Sequence, residues 1–599
     1  MTDHDASRSS TTEGLPVAPS MGPALAGARV PRRAQAVDKR VIAISGAAIV
    51  LAGAAALVAQ ALIRLIAFVT NLAFYGRASV APASPADNHL GLWVLVIPVL
   101  GGLVVGLMAR YGSKAIRGHG IPEAMEQVLT GESKIPARMT LLKPLSAAVA
   151  IGTGGPFGAE GPIIATGGAL GSLVGQLLPV TPHERKTLLA AGAAAGMAAT
   201  FGSPVSAVLL AIELLLFEYR ARSLVPVALA CATATGIRMS FVGFEPMFKI
   251  PDLHQPGGAA LAIYIGIGAI AGVGSILVTR AVYAVEDGFD KLPIHWMWWP
   301  ALGAIAVGAV GYFVPRTLGV GYDNIEHIVG ADIAGRAVLV LAGAKFISWC
   351  ISLGSGTSGG TLAPLFTIGA GLGSLLGLGA AHFVAGVDVR IAALVGMAAL
   401  FAGASRAPLA SAVFAFETTL QPLGLLPLLG GCTAAYFVSS LGMRHSIMTE
   451  KIARRGVRVP AEYIADFLDQ VLVRDAGLRK VVTLSAEDSI QKVHEWLAAG
   501  GAGTTHQGYP VVDANGELVG VLTRRDLTNG HTGLVRDLVR RPPAVVFDDS
   551  SLREAADHMV LEGVGRLPVV SRADPKRVIG IITRSDLLAA HAPRLKANS

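Results

Sequence analysis

The feature that most constrains this chain is its run of apolar segments, near 41–69, 91–109, 140–152, 162–179, 187–199, 205–217, 224–243, 258–284, 297–314, 337–353, 362–384, 390–403, 408–418 and 424–443. A helix that crosses the hydrocarbon of a bilayer needs roughly 20 such residues, and several of these segments are shorter. Short apolar pieces broken by Gly and Pro are expected to be half-helices that meet inside the membrane. Their freed backbone groups are tolerated only where they face protein or a wet cavity. Composition fits that solvent: only 15% of residues are charged, against about 25% in soluble domains. The 72 glycines and 33 prolines suit closely packed, interrupted membrane helices.

The first apolar run starts at Val41 and continues too far for a removable leader, so it is expected to be the first membrane helix. Residues 1–40 are rich in Ser, Thr, Pro and Ala without a hydrophobic period, and are expected to form a disordered tail. The net charge of +8 gathers outside the apolar runs, at Arg32–Arg40, Arg220–Arg222 and Lys451–Arg458. That pattern matches cytoplasmic flanks rather than a nucleic-acid surface, and it puts both termini in the cytoplasm. The cysteines, Cys231, Cys350 and Cys432, lie in apolar sequence without ligand spacing, so neither a disulfide framework nor a metal site is expected. No catalytic triad or phosphate loop is present, which argues against an enzyme.

The membrane part repeats itself. GMAATFGSPVSAVLLAIE, ending at Glu213, parallels GMAALFAGASRAPLASAVFAFE, ending at Glu417, with Pro204 and Pro408 in matching places 204 residues apart. GPIIATGGALGSLVG from Gly161 parallels APLFTIGAGLGSLLG from Ala363, 202 residues on. Repeated halves with broken helices place a substrate site at their junction. The matched positions of Glu213 and Glu417 suggest one shared structural duty, helix capping or pairing with Arg406.

After Lys451 the sequence turns polar, and YPVVDANGELVGVLTRRDL (509–527) is echoed by LPVVSRADPKRVIGIITRSDL (567–587). Each unit reads as strand, turn, strand and then Thr-x-x-Asp opening a helix, with Asn515-Gly516 as a turn signal in the first.

Four membrane segments, in this order, resemble the anion-pathway segments of the CLC family of chloride channels and H+/Cl− antiporters, and the C-terminal units resemble CBS modules. The first is Gly118-His119-Gly120-Ile121-Pro122-Glu123, where His119 stands in place of the family's serine. The second is Gly154 to Pro162, in which Glu160 matches the gating glutamate and Ala159 replaces a basic residue. The third is Gly354 to Pro364, with Leu362 where phenylalanine is usual. The fourth is His445 to Lys451, with Met448 at the inner-gate tyrosine position. The resemblance implies chloride binding by Gly118, His119, Gly120, Ile121, Gly158, Ala159, Gly161, Gly360, Thr361, Leu362 and Met448, with Glu160 as gate. Backbone amides at helix N-termini favour negative charge, so a carboxylate and an anion can compete for one place.

Proton-coupled members carry a second glutamate where this chain has Leu214, directly after Glu213. Leucine cannot carry a proton, so passive, channel-like conduction is expected, with proton-coupled exchange as the alternative and His119 as the substitute relay. In the CBS units the resemblance makes Thr523, Asp526, Thr583 and Asp586 candidates for an adenosine nucleotide; the competing expectation is that they only cap helices. A membrane protein whose main role is nucleotide sensing is the third reading.

The expected fold is therefore an all-α polytopic membrane protein of CLC type, with two inverted repeats and broken helices, followed by a cytoplasmic α+β CBS pair. Its expected bounds are 41–455 for the membrane domain (repeats 41–245 and 258–455) and 470–592 for the pair (474–530 and 537–592). The resemblance also implies a homodimer in a bacterial inner membrane, with lipid and a small anion as partners and no required cofactor.

Overall fold

The computed structural model describes residues 38–590, apart from 251–252, 254, 458, 460–467, 469–470, 477–480, 502 and 529–531. The expected N-terminal tail lies almost wholly outside the described residues. The chain divides into a helical unit, 36–463, and a second unit that includes 464–599. Among the described residues, eight helices are long and apolar enough to cross a membrane, from Lys39–Tyr75 to Pro422–Gly442. Shorter apolar helices stand between them at Met139–Gly152, Pro204–Leu216 and Val389–Ser405.

The two halves are built alike down to single atoms. In the first, the helix Glu160–Leu177 packs on Pro182–Phe201 so closely that a Cβ on Gly167 would come within 2.2 Å of the Gly192 carbonyl oxygen, and one on Gly192 within 2.2 Å of that of Gly167. In the second, Leu362–Ala381 packs on Val389–Ser405 with Gly369 and Gly396 in the same reciprocal contact, at 2.5 and 2.4 Å. Small residues permit this approach, which gives membrane helices their packing energy in the absence of a hydrophobic drive.

Each half also buries a lysine. Lys143 donates to the carbonyls of Ile116 and Gly118, both at 2.8 Å. Lys345 donates to those of Thr317 (3.0 Å) and Gly319 (2.8 Å). Each ammonium thereby gathers the loop that precedes a short helix, Ile121–Thr130 in one half and Tyr322–Val329 in the other.

The capping duty expected of Glu213 and Glu417 is reciprocal. The Glu213 carboxylate accepts from the amides of Leu409 (3.2 Å) and Ala410 (3.0 Å), at the start of Pro408–Thr419. That of Glu417 accepts from Val205 (2.9 Å) and Ser206 (2.8 Å), at the start of Pro204–Ala211. Both helices open with proline, which surrenders no bond there. Arg406, the other expected partner, turns instead to the carbonyl oxygens of Met443 and Arg444.

The second unit holds two three-stranded sheets of one design. In the first, β1 (Leu484–Ser485) runs parallel to β2 (Gly508–Val512), which runs antiparallel to β3 (Leu518–Thr523). In the second, β4 (Val546–Phe547), β5 (Arg566–Val570) and β6 (Val578–Thr583) repeat the pattern. Gly516, at φ +77°, closes the turn signalled by Asn515-Gly516. All three cysteines are free and buried.

Candidate functional site: a carboxylate among three helix starts

Three loops from both halves are knitted together ahead of the helices they feed. Gly158 and Gly360 exchange backbone hydrogen bonds at 3.2 and 2.9 Å. Gly118 bridges to Ser358, whose hydroxyl accepts from Ser146 at 3.1 Å. Gly118 and Gly120 adopt φ of +89° and +93°, which only glycine takes without strain. A Cβ on Gly161 would lie 2.1 Å from the His119 carbonyl oxygen and 3.0 Å from Gly360 Cα. The N-termini of Ile121–Thr130, Glu160–Leu177 and Leu362–Ala381 therefore converge on one small region, and their dipoles make it favourable for an anion.

The sequence-predicted residues divide by what their amides do. Those of Gly158 and Gly360 are spent on each other, and that of Gly120 donates to Glu123 Oε2 at 2.8 Å. Those glycines are there for close approach rather than as donors. Ile121, Ala159, Gly161, Thr361 and Leu362 stand at the helix starts themselves, and all five residues are buried.

Glu160 is fully buried at this junction. Its Oε1 accepts the Tyr322 hydroxyl at 2.9 Å. Its Oε2 lies 1.7 Å from where a Cβ on Gly158 would sit and 3.1 Å from one on Gly360. The Lys345 charge and the amide dipoles of Glu160 and Ala363 act on the same carboxylate. Burying a charge is costly, and this one is surrounded by positive ends.

A cavity of about 500 Å³ leads to the junction past Lys114, Arg117, Gly118, His119, Gly120 and Lys451. His119 is 5% exposed, and its Nδ1 has no hydrogen-bond partner among the described residues. Lys451 donates to Glu123 Oε1 at 3.0 Å along this wall. From the fourth segment Ile447 and Lys451 line this cavity, whereas Met448 does not and is fully buried. A second cavity, about 1260 Å³, is lined by Glu213, Leu214, Arg406, Arg444 and His445 among others.

The membrane part matches the family model described as voltage gated chloride channel over residues 100–440. The chain belongs to that family. The CBS domain model matches twice, at 473–530 and 535–592. In the CLC family the chain is 30% identical over 366 residues to a ClcB-like protein of Ralstonia nicotianae, covering 60% of this chain and 85% of that one. It is 28% identical over 399 residues to the H(+)/Cl(-) exchange transporter ClcA of Yersinia pseudotuberculosis, covering 63% and 82%. A slow cyanobacterial Cl−/H+ antiporter of known structure shares the fold, with a TM-score of 0.61 and 24% identity, covering 70% of this chain and 98% of that one. Membership of the CLC family makes this chain a membrane anion-transport protein.

In the CBS pair, the Asp526 carboxylate accepts the Thr523 amide (2.8 Å) and hydroxyl (2.6 Å), and Asp586 does the same for Thr583 at 2.8 and 2.6 Å. All four therefore cap their helices. Of the four only Thr523 lines the nearby cavity of about 210 Å³, whose other walls come from Val521, Arg541–Ala544 and Gly563–Arg566. Burial pushes the Asp526 carboxyl up, but the Thr523 hydroxyl and amide and the charges of Arg540 and Arg525 outweigh it and hold the group below its ordinary range.

Sequence reasoning missed Tyr322, Lys143 and Lys345. The lysines carry a signal: each lies 18 residues ahead of Gly161 or Ala363, the starts of the paired repeats. Tyr322 follows a Gly-Val-Gly stretch that carries no mark of a gate.

Proposed function

We propose that the chain moves chloride or a similar small anion across a membrane in exchange for protons, with Glu160 as the mobile carboxylate that closes the pathway. The observation that carries this reading is the burial of Glu160 where three helix starts converge, in the place those dipoles would offer an anion. The anion enters along the cavity that ends at His119 and is held by amides at Ile121, Ala159–Gly161 and Thr361–Leu362. It replaces the carboxylate when Glu160 takes up a proton and leaves. Relatives named as exchange transporters support coupling to protons over the passive conduction that Leu214 suggests.

Passive conduction is the second reading, and Leu214 is the observation that favours it: it is 2% exposed and cannot titrate. The exposed apolar residues Val205, Leu409, Leu420, Leu426 and Leu429, on and beside the two glutamate-capped helices, fit a homodimer with one pathway per subunit. The bounds 41–455 and 470–592, both termini in the cytoplasm, a bacterial inner membrane and an adenosine nucleotide in the Thr523 cleft belong to the same proposal.

The test is reconstitution in liposomes with chloride efflux and pH recorded together, for wild type and Glu160→Gln. Uphill proton movement driven by a chloride gradient, abolished in the variant, supports exchange. Chloride efflux without coupled proton movement refutes exchange and favours the passive gate.

A further inference from the structure

We propose that Tyr322 is a positioning residue that latches the Glu160 carboxylate into the pathway and so sets how much of the time the pathway is closed. This rests on Glu160 acting as the gate. The Tyr322 hydroxyl donates to Glu160 Oε1 at 2.9 Å. A hydroxyl bonded to a carboxylate favours the ionised, seated group; the bond weakens when the carboxyl takes up a proton and is lost when it swings away. Glu160 is fully buried and its contact with the Tyr322 hydroxyl is part-buried.

The phenol is held rigidly. Its ring meets Phe201 edge-on at 5.8 Å and Phe248 at 6.5 Å. The loop that precedes it is tied by the Lys345 ammonium to Thr317 and Gly319, and Asn324 Nδ2 donates to the Arg316 carbonyl at 2.7 Å. Little freedom remains for the hydroxyl to follow a departing carboxylate, so the bond rewards one position of Glu160 only.

The internal repeat sharpens the assignment. Tyr322 opens its short helix just after Gly321 (φ +75°), as Ile121 opens its own just after Gly120 (φ +93°). In the first half this position carries a buried aliphatic side chain; in the second it presents a donor to the gate. The two halves share a backbone plan and diverge in chemistry at this residue, which a merely structural aromatic would not require.

The experiment is chloride efflux from liposomes for the full chain, comparing wild type, Tyr322→Phe, Glu160→Ala and the double variant. Tyr322→Phe keeps the ring and its packing, and thermal unfolding of each variant checks the fold. The expected result is roughly tenfold faster efflux for Tyr322→Phe, with no further change when it is added to Glu160→Ala. Wild-type efflux from Tyr322→Phe, or the same acceleration in both backgrounds, overturns the latch. If Glu160→Ala alone speeds efflux while Tyr322→Phe does not, only the latch fails. If Glu160→Ala leaves efflux unchanged, the gate reading fails and takes the latch with it.

Discussion

Gly158→Ala tests whether the gate position is as narrow as it looks. The new methyl would lie 1.7 Å from Glu160 Oε2, 2.6 Å from Cδ and 2.8 Å from Oε1. All three distances are below any tolerated contact, so the carboxylate must leave its place. Gly158 does not have positive φ, so alanine adds no backbone strain and the effect falls on Glu160. Leaving forfeits the Tyr322 hydrogen bond, and a bond to a charged group contributes about 1.5–3 kcal/mol. At about 1.4 kcal/mol per factor of ten, the closed population falls by roughly 10- to 100-fold. Chloride efflux from liposomes is expected to rise toward that factor, and protons moved per chloride to fall, because the displaced carboxylate no longer alternates with the anion. In a Glu160→Ala background there is no carboxylate to displace, and the substitution is expected to change little. Unchanged efflux from Gly158→Ala in a folded protein, or equal effects in both backgrounds, would refute the reasoning.

Two further outcomes are expected. Lys143→Met strands the carbonyls of Ile116 and Gly118, at about 1–3 kcal/mol each; the melting temperature in detergent should fall by several degrees, and an unchanged value would contradict the role assigned to the buried ammonium. Asp526 has a carboxyl held below its ordinary range, so the stability it contributes is present above its unfolded value of about 3.9 and is lost as pH falls through the lower folded value. Asp526→Asn should remove that acid-dependent component, read as hydrogen exchange over 508–528 in the full chain between neutral pH and about pH 3; identical pH profiles for variant and wild type would count against it.

What the sequence disclosed and what it hid follow from the kind of force involved. Glu160 was legible because an ionisable residue amid glycines and apolar sequence has few other reasons to be there. The reciprocal duty of Glu213 and Glu417 was legible through the repeat, since matched positions imply matched work, although the alternative partner, Arg406, bonds to backbone carbonyls instead. Met448 was placed in the anion set by its segment, yet Ile447 takes the cavity surface because the segment's rotation is fixed by tertiary contacts. The Tyr283 hydroxyl, for example, donates to the Ile447 carbonyl at 2.9 Å. The Tyr322 bond spans 162 residues, and no local pattern encodes such a pairing. In the CBS pair the Thr-x-x-Asp caps could be read directly, but apart from Val521 and Thr523 the walls of the small cavity come from Arg541–Ala544 and Gly563–Arg566, outside the repeated motif.

The substitutions that set this chain apart fall on side chains, while the amides that make the junction electropositive are untouched. The resemblance puts His119, Leu362 and Met448 where serine, phenylalanine and tyrosine are usual, and the three helix starts still converge on one place, so the proposed anion site keeps its amides as its walls change. Proton movement is different, because it depends on side chains that titrate. The resemblance places Leu214 where proton-coupled members carry a glutamate, so the proposed exchange requires a detour. The geometry narrows where a detour could run: His119 lines one cavity and Glu213 the other. Glu213 already spends its carboxylate on the amides of Leu409 and Ala410; protonating it would weaken a helix cap. His119 Nδ1 carries no such duty. His119 lines the same cavity that the anion would use, which makes it the better-placed carrier if protons and anions share one approach to Glu160.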